Sequence, residues 1–284
     1  MDSTTSQEGR PVSSRARPGL FFFLVYGFTW LFWVPAAVWG APEPDALTLM
    51  LHYLGGAMPF LVTLALLFLR HDRPFRLDFW RRAVDPRRIG WPWLAFTLLV
   101  VPALTGLAAL ADRLLGGPGL ELEALARFSG QPLALLSYAV FLLLFGPLPE
   151  ELAWRGYALD GLQRGWSALR ASLALGLLWA GWHLPLFFIE GSYQSGRREP
   201  YFALLFALGI LAQSVVMTWI YNNTHRSTLS AVLVHLMVNF VGELTGLSRS
   251  GEGLYILGWI LLAVVVAVRM GRWGSEPAAT AGQG

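Results

Sequence analysis

The feature that most constrains this chain is a series of eight apolar segments, each close to the roughly 20 residues that a helix needs to cross a bilayer. They cover approximately residues 19–41, 47–69, 90–111, 132–149, 169–189, 201–221, 228–247 and 253–269. No alternating pattern typical of strands competes with them, and only helices and closed barrels satisfy their backbone hydrogen bonds in lipid. The sequence therefore predicts an all-α integral membrane protein, a bundle of about eight transmembrane helices.

The amino-acid composition agrees with this class and narrows the chemistry. Hydrophobic residues make up 55% of the chain, and the mean hydropathy is +0.51. Cysteine is absent, which excludes disulfide and thiolate chemistry. All 21 basic residues are arginines, and no basic stripe is interleaved with aromatic residues. The net charge of +3 therefore reflects arginines in membrane loops, and we expect a lipid bilayer but no nucleic acid as a partner.

Arginines are distributed unevenly between the predicted loops. Seven lie in the loop after the second segment, and three lie in the N-terminal arm, whereas the loop after the first segment has none. The positive-inside rule then places both termini in the cytoplasm, and we expect a bacterial plasma membrane. Polar or small residues dominate both ends of the chain. We predict a disordered cytoplasmic arm at 1–18, a transmembrane domain at 19–271 and a disordered tail at 272–284.

The most informative polar cluster follows the fourth apolar segment, where Glu150 and Glu151 are adjacent at its predicted cytoplasmic end. Pro147 and Pro149 suit the first turn of a restarted helix, so both glutamates lie near an N-terminus that favours negative charge. Glu151 and Arg155 are four residues apart in the acid-first order that favours an ion pair. This leaves Glu150, about 100° around the helix, without a local partner. Taken alone, the cluster is best explained as a salt-bridged helix end.

Two later apolar segments each contain a histidine. His183 lies deep in the fifth segment, where Pro185 loosens the helix because it lacks a backbone donor. His235 and Asn239 lie four residues apart in the seventh segment and therefore share one helix face. Individually, these side chains are explained by packing or by hydrogen bonding between helices.

Taken together, Glu150, His183, His235 and Asn239 form a set of groups that suits hydrolysis. A charge at the bilayer centre costs about 2.5–3.5 kcal/mol, so a chain this apolar is expected to use the few that it keeps. A carboxylate and a histidine can hold and deprotonate a water molecule. A histidine and an asparagine can donate hydrogen bonds to a developing oxyanion.

The same residues resemble the three motifs of the CPBP family, namely Glu150-Glu151-x-x-x-Arg155, Trp179-x-x-x-His183 and His235-x-x-x-Asn239. That family comprises type II CAAX prenyl endopeptidases and bacterial relatives implicated in bacteriocin processing and self-immunity. The resemblance covers roughly residues 130–247, which are the expected catalytic core. One departure is Trp179, where phenylalanine is commoner in the family.

This resemblance implies an intramembrane peptidase, a helical bundle around a conical cavity that opens to the cytoplasm and the lipid. Glu150 would be the general base that activates water, aided by His183, while His235 and Asn239 would form the oxyanion site. The other two residues of the first motif would orient the helix that carries Glu150. The substrate would be a membrane-associated peptide or protein, with or without a lipid anchor, cut near its C-terminus.

Other interpretations of these residues remain open at this stage. The chain could be a catalytically silent binding or immunity protein, or a small proton-coupled transporter, although no internal repeat supports a transporter. Glu150, His183 and His235 could also form a zinc site with an open fourth position. Against zinc, no HExxH helix is present, and the amide of Asn239 is a poor zinc ligand but a good oxyanion donor. We therefore predict a metal-free reaction without a cofactor.

Overall fold

The computed structural model describes residues 17–40 and 43–273, and for the last two of these only the backbone. The α-helices are α1 Pro18–Trp39, α2 Ala46–Arg70, α3 Arg73–Val84, α4 Trp91–Leu114, α5 Glu123–Ala126, α6 Pro132–Phe145, α7 Pro147–Ala153, α8 Leu159–Gln163, α9 Ala168–Trp182, α10 Pro200–Asn223, α11 Thr228–Leu244 and α12 Arg249–Trp273. Single turns are 3₁₀ at Pro86–Arg88, Leu184–Phe188 and Ser195–Arg197, and π-helical at Trp154–Ala158. Two short strands, β1 Leu120–Glu121 and β2 Gly246–Leu247, pair in antiparallel fashion.

The described residues confirm an all-α membrane bundle. Seven helical stretches within them are long and apolar enough to cross a bilayer. Helix α11 is also apolar but has only 17 residues, which accounts for the eighth segment predicted from the sequence. The predicted arm and tail lie almost entirely outside the described residues, with α1 beginning at Pro18 and α12 ending at Trp273.

The fourth membrane segment differs from its predicted course. Helix α6 ends at Phe145, and Gly146 breaks the helix with φ −133° and ψ −90°. Helix α7 restarts at Pro147, as the prolines predicted, and the chain stays helical through the π turn to Gln163. The helical stretch Pro132–Gln163 is thus longer than the segment predicted at about 132–149, and Glu150 lies inside it, after the break at Gly146. The helix can remain buried beyond Glu150 because Glu151 and Arg155 form an ion pair in the protein interior.

Helices α1, α2 and α9 are joined by buried hydrogen bonds that place the C-terminal end of α9. The indole nitrogen of Trp182 donates to Thr29 Oγ1 at 2.9 Å, and Thr29 donates in turn to the Gly55 carbonyl at 3.2 Å. Gly55 also accommodates the ring of Trp33, because a Cβ there would lie 2.2 Å from the Trp33 ring. The last turn of α9, which precedes His183, is therefore held against two neighbouring helices.

Candidate active site

Glu150 lies in the first turn of α7 and is only 9% exposed. Its Oε2 accepts hydrogen bonds from two indole nitrogens, Trp179 Nε1 at 2.7 Å and Trp154 Nε1 at 3.3 Å. No arginine or histidine pairs with this carboxylate within the described part of the chain, and its Oε1 accepts no hydrogen bond there. Neutral donors thus orient one oxygen, while the other stays available to a substrate or a water molecule.

Glu151 is fully buried and joins α7 to α11. Both of its carboxylate oxygens accept from Arg155 Nη1, at 2.7 and 2.9 Å, which confirms the ion pair predicted from the spacing. Its Oε1 also lies 2.9 Å from Nδ1 of His235. The two adjacent glutamates therefore differ in environment, because one faces indoles and the other faces a guanidinium and an imidazole.

His183 lies at the C-terminal end of α9, immediately before the 3₁₀ turn that contains Pro185, and inside the apolar span Ala168–Phe188. Its Nδ1 is 2.7 Å from the carbonyl oxygen of Trp179. Because a carbonyl only accepts, Nδ1 carries the proton, and Nε2 of the neutral ring has a free lone pair. The rings of Trp182 and Phe206 pack edge-on against the imidazole, at 4.7 and 5.2 Å between centroids.

His235 and Asn239 present one polar face of α11 toward α7, as the spacing predicted. Nδ1 of His235 donates to Glu151, so the ring orientation is set by a carboxylate. Asn239 is half-buried, and its side-chain nitrogen lies 3.2 Å from the position that a Cβ on Gly146 would occupy. The break between α6 and α7 thus makes room for the Asn239 amide.

Trp179 connects the parts of the site, a role that the sequence reasoning did not assign. Its indole nitrogen bonds Glu150, and its ring lies 5.1 Å from the His235 ring and 6.0 Å from the His183 ring. The guanidinium of Arg155 sits 4.6 Å from the same ring. The structure therefore brings the glutamates and both histidines around one indole. A signal was present in the sequence, since a buried tryptophan usually donates its N–H.

The alternative zinc site would use the side chains of Glu150, His183 and His235. Among residues 17–40 and 43–273, no three histidine, aspartate or glutamate side chains are grouped closely enough to share a metal ion. Both histidines have Nδ1 acceptors of the kind that orient metal-bound imidazoles. The carboxylate of Glu150, however, directs Oε2 to two indoles. The metal-free reaction stays a prediction, with Glu150, His183 and His235 as the alternative zinc ligands.

Comparison with known proteins agrees with this geometry. Residues 132–241, which contain all three motifs, match the family described as type II CAAX prenyl endopeptidase Rce1-like. A protein of Methanococcus maripaludis named CAAX prenyl protease 2 is 29% identical over 240 residues, covering 84% of this chain and 88% of its own length. These two similarities support a CPBP-family intramembrane protease of the CAAX type, and they favour an enzyme over the binding-protein and transporter alternatives.

Proposed function

We propose that this membrane protease hydrolyses a peptide bond near the C-terminus of a membrane-associated, prenylated polypeptide, using a water molecule activated by Glu150 and His183. The observation that carries the proposal is the orientation of the two groups. The indoles of Trp154 and Trp179 hold Oε2 of Glu150 and leave Oε1 free. The Trp179 carbonyl holds the proton of His183 on Nδ1 and leaves Nε2 free as an acceptor.

In this mechanism the water donates one hydrogen bond to Oε1 of Glu150 and one to Nε2 of His183. Its oxygen attacks the scissile carbonyl carbon as Glu150 takes the proton, and the carbonyl π electrons move to the oxygen. The tetrahedral intermediate then collapses, the C–N bond breaks, and Glu150 returns its proton to the departing amine nitrogen. The products are a released peptide amine and a new C-terminal carboxylic acid, which loses the second proton of the water to solvent.

His235 and Asn239 stabilise the oxyanion in this proposal. Asn239 donates from its amide, which the break at Gly146 leaves unobstructed. His235 already donates its Nδ1 proton to Glu151, so its Nε2 donates only when the ring is an imidazolium. The Glu151 carboxylate fixes the orientation of that ring and thereby the direction of its Nε2.

The reaction proceeds without a metal ion in this proposal. An amide is a poor zinc ligand, and Asn239 shares a helix face with His235. Elemental analysis of purified, chelator-washed protein tests the point. We expect full activity without zinc, whereas stoichiometric zinc that is lost and restored together with activity would replace this mechanism with that of a metallopeptidase.

The prenyl group of the substrate is inferred from the kind of protein that this chain resembles, and an apolar recess supports it. The recess has a volume of about 300 Å³ and lies between the end of α9 and α10, lined by Gly181, Leu184, Phe187 and Phe206 among others. Phe206 also packs against His183, so a hydrocarbon chain in the recess would lie next to the reacting groups.

Cleavage of a farnesylated peptide ending in a CAAX sequence, compared with the same peptide without the farnesyl group, tests the function. We expect the purified wild-type protein to cut only the farnesylated peptide, and Glu150→Gln to be inactive while remaining folded and monodisperse. Undiminished cleavage by a well-folded Glu150→Gln variant would show that another group activates the water. Equal cleavage of both peptides would remove the prenyl requirement.

A further inference from the structure

Arg82 on α3 is a fully buried arginine close to the catalytic helix. Its Nε donates to Asp78 at 2.9 Å, its Nη1 donates to the Tyr221 hydroxyl at 2.6 Å, and its Nη2 donates to the carbonyl of Gly156 at 3.1 Å. Nη1 also lies 3.2 Å from Asp160. One guanidinium therefore ties α3, α8 and α10 to the backbone of the π turn.

The π turn at Trp154–Ala158 contains the residues that hold both glutamates. Trp154 donates to Glu150, and Arg155 donates to Glu151. Gly156 follows directly, and α3 packs so closely on it that a Cβ there would lie 3.0 Å from the ring of Phe79. A π turn is rare within α-helices and is frequent at functional sites, and Arg82 gives this one a hydrogen bond from outside its own helix.

We propose that Arg82 is a positioning residue for peptide hydrolysis. By holding the Gly156 carbonyl, it keeps the π turn in the register that directs the Trp154 indole and the Arg155 guanidinium at the glutamates. Arg82 lies outside the residues that match the family, 132–241, and it does not touch the substrate in this proposal. The inference rests on the proposed role of Glu150.

The side chain must be arginine for this purpose, because three of its nitrogens reach three different partners at once. A guanidinium provides five donors in a rigid planar fork, whereas an ammonium is a compact point charge on a flexible stem. Lysine can keep the positive charge near Asp78 and Asp160 but cannot also reach Tyr221 and the Gly156 carbonyl. Arg82→Lys therefore keeps the positive charge at this position but removes the hydrogen bond to the Gly156 carbonyl.

Steady-state kinetics of Arg82→Gln, Arg82→Lys and the control Asp78→Asn on the farnesylated CAAX peptide test the inference. The control removes the charge of one partner of Arg82, keeps an oxygen that can accept from its Nε, and leaves its bond to Gly156. The Asp78 side chain is 40% exposed. Rates are expressed per folded, monodisperse protein. We expect Arg82→Gln to lower kcat at least about tenfold with KM nearly unchanged, and Arg82→Lys to recover only part of the lost kcat. The kcat of Asp78→Asn should stay within about twofold of the wild type.

Gly156→Ala provides a second variant that changes no charge. The added Cβ must push Phe79 and α3 away from the π turn, so we expect the same selective loss of kcat. The control is Gly165→Ala, where a Cβ meets nothing within 4 Å. The comparison of Gly156→Ala with Gly165→Ala tests the role of the π turn even if Arg82→Gln does not fold.

The outcomes for this inference and for the proposed function are distinguishable. If Glu150→Gln is inactive while Arg82→Gln and Gly156→Ala turn over like their controls, Arg82 has no positioning role and the proposed mechanism stands. If the folded Glu150→Gln variant remains active, the proposed mechanism fails, and the inference about Arg82 fails with it.

Discussion

The indole nitrogen of Trp179 lies 2.7 Å from Oε2 of Glu150. This hydrogen bond joins α9 to α7 and gives the buried carboxylate a neutral donor in place of a cation. A phenylalanine at this position would have no N–H to donate. The orientation of the proposed base is therefore set partly by the indole N–H of Trp179.

Trp179→Phe should lower kcat by about tenfold, since it removes a hydrogen bond to a charged group while keeping a ring beside both histidines. Trp154→Phe should have a smaller effect, because its contact with Oε2 is longer, at 3.3 Å. Cleavage rates of the farnesylated peptide provide the measurement. Trp33→Phe is the control. It removes an indole hydrogen bond of 2.8 Å that is made to the His52 carbonyl and not to Glu150. Equal rates in all three variants would mean that the indole bond does not orient Glu150.

Glu151→Gln should reduce stability more than any other single change at the site. It leaves the fully buried Arg155 and the nearly buried His235 without their carboxylate, and breaking a buried pair costs about 3–5 kcal/mol. The free energy of unfolding in detergent micelles measures this loss. Activity per folded molecule should fall less than in Glu150→Gln.

A surface ion pair provides the control for that measurement. Glu190 pairs with Arg198, and both side chains are more than a third exposed. Glu190→Gln should therefore change stability by no more than about 1 kcal/mol. Similar losses in Glu151→Gln and Glu190→Gln would show that the buried network contributes no more than a surface pair.

Gly146→Ala should impair catalysis through Asn239. The new Cβ would lie 3.2 Å from the Asn239 amide nitrogen, closer than about nine in ten Cβ contacts, so the amide must shift by a few tenths of an ångström. Loss of an oxyanion donor costs about 10²–10³ in kcat, and a displaced donor should cost part of that. Gly106→Ala in α4, where a Cβ meets nothing within 4 Å, is the control. A wild-type kcat in folded Gly146→Ala would argue against Asn239 as a donor.

The orientation in the membrane can be measured by cysteine labelling, because the chain has no cysteine of its own. Arg87→Cys introduces a thiol at an exposed position after α3, and Gly196→Cys introduces one in an exposed turn before α10. If both termini are cytoplasmic, an impermeant thiol reagent added to intact cells should label only Gly196→Cys. Permeabilised cells confirm that both thiols react. Labelling of Arg87→Cys in intact cells would reverse the topology and the side from which the substrate enters.

The membrane class and much of the local structure could be predicted from the sequence because they depend on short-range patterns. Runs of apolar residues long enough to cross a bilayer predicted the spans. The four-residue spacing of Glu151 and Arg155 predicted their ion pair, and Pro147 predicted the restarted helix. Hydropathy did not predict that the helix continues from residue 149 to Gln163, because that stretch contains charged residues, two of which pair inside the bundle.

The tertiary structure decided which groups these elements bring together. The bond from Trp179 to Glu150 spans 29 residues, that from Arg82 to Gly156 spans 74, and that from His235 to Glu151 spans 84. No periodicity within one helix encodes such contacts, since they depend on how helices pack and rotate against each other. The sequence by itself therefore determined a membrane protein with two adjacent glutamates and two histidines in its helices. Only the packing of α7, α9 and α11 decided that Glu150 meets the Trp179 indole and that His235 joins the pair of Glu151 and Arg155.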